Sequence, residues 1–115
     1  MILVCGIPSD GPTRLVIEAA EVAGVEHVVL NQRESRSIGL RVDVRRGEPV
    51  DGILSLCGRD WPLSVFSGVF LRLMDWQDLP ENRLGPTYDP GGLRRSGLLH
   101  DALTQWTEMT LCRVM

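Results

Sequence analysis

The chain opens on an unbroken apolar run, Ile2-Leu3-Val4-Cys5-Gly6-Ile7, that stops at Pro8-Ser9-Asp10-Gly11-Pro12. Continuity of this kind predicts a central strand covered on both faces. From Thr13 to Ala23 the apolar residues Val16, Ala19, Ala20 and Ala23 recur at helical spacing. Pro12 suits the first helical position, and Gly24 suits the C-terminal stop. His27-Val28-Val29-Leu30-Asn31 then reads as a second strand. Strand, helix and strand in this order form a βαβ unit, so the two strands are expected to lie parallel.

The middle of the chain changes period. Between Ser37 and Val44, Ile38, Leu40, Val42 and Val44 alternate with Gly39, Arg41 and Asp43, the mark of a half-exposed strand. Arg45-Arg46-Gly47-Glu48-Pro49 supplies a turn and Gly52 to Cys57 a second strand, giving a β-hairpin with one wet face. Gly58-Arg59-Asp60-Trp61-Pro62 reads as a link to a buried strand from Val65 to Arg72. Asp75 to Pro90 is expected to be a loop. A helix over Gly92–Met109 presents Leu99, Ala102, Leu103, Trp106 and Met109 or Thr110 on one face, and Leu111 to Met115 reads as a last strand.

With 115 residues and 43% apolar content the chain is expected to fold as one domain, residues 1–115, with a core of its own. Arg, Asp, Gly or Pro interrupts every apolar stretch before it could span a bilayer, so no membrane association is expected. A net charge of −3 gives no footprint for nucleic acid, and Arg45–Arg46 and Arg94–Arg95 read as solvated surface. Cys5, Cys57 and Cys112 each sit in an apolar stretch, which fits buried thiols in a reducing compartment such as the cytoplasm. All twelve basic residues are Arg. The absence of Lys excludes a Walker-type phosphate lysine and Schiff-base catalysis.

Gly6 to Thr13 has the glycine spacing of a phosphate loop, but Pro12 stands where the lysine belongs and Asp10 adds repulsion. Ser9 and Asp10 then have two readings. They cap the helix, or they touch a ligand at the carboxyl end of a parallel strand. Ser55 and Ser67 lack a nucleophile elbow, His27 and His100 are isolated, and no metal-ligand spacing occurs. Arg72, closing an apolar strand, either holds a substrate carboxylate or phosphate or pairs with Asp75 or Asp78 as a clasp.

Taken together, several of these pieces resemble the N-terminal pre-ATP-grasp domain of ATP-grasp carboxylate–amine ligases, in the branch of glutathione synthetase and microviridin-type ligases. They are Ile2–Gly6, the hairpin from Ile38 to Cys57, Ser67-Gly68-Val69-Phe70-Leu71-Arg72, and His100-Asp101-Ala102-Leu103-Thr104-Gln105-Trp106 leading into Cys112–Met115. The resemblance implies a three-layer, Rossmann-like α/β fold, a mostly parallel sheet with an inserted β-hairpin and two main helices. It implies a ligase that activates a carboxylate with ATP and Mg²⁺ and couples it to an amine. The residues for ATP and Mg²⁺ would belong to another region, an ATP-grasp domain in cis or a partner chain, with a second copy of this chain as a further partner. This chain alone would be a truncated, non-catalytic wall of the substrate site, with Arg72 carried over as a substrate contact. The alternatives are a stand-alone α/β adaptor or small-ligand-binding domain, and a flavodoxin-like nucleotide binder at Pro8–Pro12.

Overall fold

The computed structural model describes residues 1–75, 77, 79, 90–110 and 113–115. Among these, the order is β1 (Ile2–Gly6), α1 (Gly11–Ala23), β2 (His27–Asn31), β3 (Ile38–Asp43), β4 (Asp51–Leu56), β5 (Arg59–Pro62), β6 (Gly68–Leu71), α2 (Pro90–Met109) and β7 (Arg113–Val114). Short 3-10 turns cover Gln32–Ser37 and Leu63–Val65. The strands form two sheets, a parallel one in the order β2-β1-β6-β7 and an antiparallel one in the order β3-β4-β5.

β1 is central because its apolar residues have burial on both faces to gain. Leu3, Val4 and Cys5 are all fully buried. Ile2 pairs with His27 on one side and with Gly68 on the other, and both ladders run parallel. Leu3, Cys5, Leu30 and Val69 share one face and pack with Leu54 and Leu56 of β4 and with Leu99, Leu103 and Trp106 of α2. α1 covers the opposite face, where Thr13 sits against Gly6. The molecule therefore has the expected three layers, with the main core between the parallel sheet and the α2–antiparallel layer.

The ends of α1 follow the sequence. Pro12 lies in its first turn, and Gly24 adopts a left-handed φ of 68° that most side chains resist. The Gly24 and Val25 amides return to the Glu21 and Ala20 carbonyls at 3.2 and 2.9 Å. The buried face of α1 differs from the expected one. Thr13 and Ala20 are buried, Val16 and Ile17 are half-buried, and Ala19 and Ala23 face solvent. Thr13 takes an inward place because its hydroxyl has a polar partner there. That rotation leaves Leu15 61% and Val22 91% exposed.

The hairpin forms as expected, with Ile38 opposite Leu56 and Asp43 opposite Asp51. It gains a third strand, because the segment expected to be a link pairs as β5, Leu54 opposite Trp61 and Ser55 opposite Asp60. The Ser55 hydroxyl donates to Asp60 at 2.6 Å across that pair. β6 is shorter than expected, since Leu63–Val65 forms a turn and pairing begins at Gly68. In α2, Leu99, Leu103 and Trp106 are buried as expected, while Met109 is 40% exposed. Ser96 extends the inward face by one turn and meets Ser35 at 3.3 Å, hydroxyl to hydroxyl. Most of the expected loop from Asp75 to Pro90, and Leu111 and Cys112 of the expected last strand, lie outside the described residues. Arg113–Val114 continues that strand, parallel to β6.

Candidate functional site at the carboxyl edge of the parallel sheet

β1, β2 and β6 are parallel, so their carboxyl ends meet at one edge, where open α/β sheets hold ligands. After Gly6 the chain turns through Ile7 to Asp10, closed by the Asp10 amide donating to the Ile7 carbonyl at 2.9 Å. Asp10 occupies the N-cap position of α1, but its side chain makes no capping bond to the backbone. Its Oδ2 instead accepts from the Thr13 hydroxyl at 3.2 Å and from Arg72 Nε at 2.7 Å. The Arg72 guanidinium, with help from Thr13, holds the Asp10 carboxyl below the usual carboxylate range.

Arg72 follows β6 directly, and its amide still donates to the Cys5 carbonyl at 3.0 Å. The side chain is half exposed, with Nε on Asp10. The two terminal amino groups of its guanidinium have no partner among the described residues. A guanidinium held by one edge and open at the other is suited to bidentate contact with a carboxylate or phosphate. Gly6 makes this crowding feasible, because a Cβ there would stand 2.9 Å from both the Arg72 carbonyl and the Thr13 hydroxyl.

Beyond Asn31 a second set of polar residues enters the edge. The Asn31 side chain accepts the Arg33 amide at 3.0 Å and starts the 3-10 turn. Gln32 is buried, and its amide group donates to the Met74 carbonyl at 2.7 Å while accepting from the Met74 amide at 2.8 Å. Ile7, Ser9, Asp10, Arg33, Met74 and Leu79 line an open cleft of about 300 Å³ at this edge.

Ser9, Asp10 and Arg72, singled out from sequence on separate grounds, are thus brought together. Ser9 and Asp10 line the cleft, and Arg72 grips Asp10 beside it. The clasp partner expected for Arg72 is corrected: it is Asp10, not Asp75, whose carboxylate accepts the Gln77 amide at 3.0 Å. Asp78 lies outside the described residues. Gln32 and Arg33 were not anticipated, although a polar Asn-Gln-Arg run directly after a buried strand marks a carboxyl edge in any doubly wound sheet.

The remaining candidates stay apart. His27 Nδ1 is 2.9 Å from the Val25 carbonyl, and His100 Nδ1 is 3.6 Å from Asp101, on different elements. The Ser67 hydroxyl donates to the Met1 carbonyl at 3.2 Å. Among the described residues no group of three His, Cys, Asp or Glu side chains could hold a metal ion. No helix among them is long and apolar enough to cross a membrane.

No family model matches the chain, and no curated protein matches it in sequence. Solved structures do match. A RiPP-associated ATP-grasp ligase from Chryseobacterium gregarium, in complex with ADP and a leader and core peptide, superimposes with a TM-score of 0.62 at 17% identity. That match covers 98% of this chain and 34% of the ligase. The macrocyclase MdnB from Microcystis aeruginosa gives 0.59 at 16% identity, over 98% of this chain and 36% of the macrocyclase. MdnC from the same organism, bound with precursor peptide MdnA, gives 0.53 at 21%, over 95% and 32%. The chain spans about a third of each of these enzymes. The likeness is one of fold: the chain has the pre-ATP-grasp-like α/β fold of the matched third of these ligases.

Proposed function

We propose that residues 1–115 form the substrate-side, non-catalytic domain of an ATP-grasp-type ligase, with the carboxyl-edge cleft as one wall of its substrate site. The supporting observation is the convergence of Ser9, Asp10 and Arg72 at that edge, within a fold shared with peptide-bound ligases. In this reading the open side of the Arg72 guanidinium takes the carboxylate to be activated, and Ser9 offers a hydroxyl beside it. Asp10, kept ionised by Arg72, repels a second anion and fixes the guanidinium plane. ATP and Mg²⁺ would be held by an ATP-grasp domain in cis or on a different partner chain, and a second copy of this chain would be a further partner that binds neither. The substrate would be a peptide bearing carboxylate side chains, and the assembly would work in the cytoplasm.

The decisive experiment uses the ligase that contains this chain, identified by reading the coding sequence past Met115 or by co-purification. Arg72→Gln is expected to raise KM for the carboxylate substrate roughly 10- to 100-fold, the loss of a charge-assisted hydrogen bond, with KM for ATP unchanged. Mg-ATP added to the isolated chain should leave its Tm in place, whereas a clear rise would put the nucleotide site here and overturn the assignment. A second reading, a stand-alone adaptor or small-ligand-binding domain, is favoured by the cleft itself, whose about 300 Å³ is at the lower end for small-molecule sites. A stop codon after Met115 with no co-purifying ligase would select that reading.

A further inference from the structure

The carboxyl edge contains a gap that the sheet alone does not close. β1 is the middle strand between β2 and β6, and its last pairings are Gly6 with Asn31 and Cys5 with Leu71. The middle chain then turns away toward α1. The segments that follow β2 and β6 continue past it, and no strand among the described residues lies between them. Both carry residues of the cleft: Arg33 comes from one, and Met74 from the other, two residues after Arg72.

Gln32 spans this gap. Its side-chain amide presents one donor and one acceptor in a plane, as a peptide group does, and both are used on the Met74 backbone, at 2.7 and 2.8 Å. The two partners are 42 positions apart in sequence, and Gln32 is 4% exposed. Both bonds are part-buried, since Met74 itself is exposed, and opening them would leave the buried Gln32 amide without its donor and acceptor partners. The arrangement continues the sheet by one rung after its central strand has left.

We infer that Gln32 is the positioning residue of the carboxyl-edge site: its twin hydrogen bonds to Met74 fix the chain that carries Arg72 relative to the chain that carries Arg33 and so hold the Arg72 guanidinium on Asp10. Gln32 lines no part of the cleft and acts through its neighbours. The inference deepens the substrate-wall reading but depends on it only in the enzymatic arm of the test below.

The primary readout is the titration of the Asp10 carboxyl, followed by side-chain carbon NMR on the whole chain. The charged groups around Asp10 are Arg72, which bonds it, Arg33, which shares the cleft, and Arg14, whose amide donates to the Asp10 carbonyl. Gln32→Met keeps the volume and removes both hydrogen bonds. It is expected to raise the Asp10 midpoint toward ~3.9, the ordinary carboxylate value, as Arg72→Gln does. A core variant of similar stability loss, Leu103→Ala, should leave that midpoint where it is.

Gln32→Glu supplies the rescue and covers the case in which Gln32→Met does not fold. When protonated, the introduced carboxyl again offers one donor and one acceptor to Met74. When ionised it faces the Met74 carbonyl with no proton to give. The Arg72 Nε–H resonance should therefore match that of the wild type at acid pH and move away from it reversibly as the introduced group ionises. A resonance that stays put across that range, or an Asp10 midpoint unmoved in folded Gln32→Met, overturns the inference. In the ligase, Gln32→Met should raise KM for the carboxylate substrate and leave KM for ATP unchanged. A shifted Asp10 titration with both KM values unchanged would retain the positioning role and refute the substrate-wall reading instead.

Discussion

Arg72 and Asp10 meet Nε to Oδ2 at 2.7 Å across 62 positions of sequence, where β6 and β1 end side by side. The contact gives stability a sign that pH can test. Arg72 and Thr13 lower the folded-state pKa of Asp10, so its contribution is fully present above the unfolded value of about 3.9. It is lost as pH falls through the lower folded value. Urea unfolding of the wild type and Asp10→Asn should show a constant difference from pH 7 to about 5 that closes at more acid pH. A difference independent of pH down to acid unfolding would mean that the ion pair contributes nothing.

Gly6 is the residue on which this crowding depends. An added Cβ would stand 2.9 Å from the Arg72 carbonyl, which is backbone, and equally close to the Thr13 hydroxyl. Gly6→Ala should destabilise by roughly 1–3 kcal/mol, the usual range for overpacking. Thr13→Ala in the same chain removes only the hydroxyl side of the clash. Thermal melts of the two single variants and the double should therefore be non-additive, with the double less unstable than the sum.

The sequence carries the local features of this fold and only part of its long-range ones. The apolar run Ile2–Ile7, the stop at Gly24 and the alternation from Ile38 to Val44 are all legible, since each is decided by a residue's own chemistry and its near neighbours. β5 is not, because it follows Gly58, ends on Pro62 and has Trp61 as its only large apolar residue; pairing with β4 makes it a strand. The inward face of α1 was displaced by Thr13, whose burial depends on a carboxylate it bonds. Ser9, Asp10 and Arg72 could each be singled out, but the nearest acid in sequence was a poor guide to the partner of Arg72. Gln32 was invisible, as nothing in a glutamine codes for a backbone segment 42 residues away.

The turn between β4 and β5 can be improved. Leu56 pairs with Arg59, so the loop is Cys57-Gly58, and both residues have positive φ, 50° and 79°. Two-residue hairpins with positive φ at both positions favour Asn-Gly. A cysteine in the left-handed region costs free energy that asparagine largely avoids. Cys57→Asn should raise stability by roughly 0.5–1 kcal/mol in denaturant titrations, and Cys57→Val should lower it, since branching at Cβ worsens the strain.

Trp106 separates packing from hydrogen bonding in the core. It is 1% exposed and meets Phe66 edge to face, ring centres 6.4 Å apart, yet its Nε1–H has no partner among the described residues. Trp106→Ala should cost about 3–5 kcal/mol, as large-to-small core changes do. Trp106→Phe removes an unpaired donor along with one ring, and the two effects oppose each other. Its cost should stay below about 1.5 kcal/mol, and a value near that of alanine would show that the indole nitrogen has a partner after all.

The two described cysteines should differ sharply in reactivity. Cys5 lies in the central strand at 0% exposure, and burial pushes its thiol up to about 12. The thiolate is the reactive form, so at pH 8 Cys5 is protonated as well as inaccessible. Cys57 is exposed at the tip of a hairpin, open to reagent. In a Cys112→Ser background, a chromogenic disulfide reagent should label one thiol within minutes, and Cys57→Ser should abolish that phase. The second equivalent should appear only as the chain unfolds, at the rate of unfolding measured by circular dichroism in the same denaturant. Fast labelling of two thiols in the folded protein would mean that β1 is not sealed between α1 and the core.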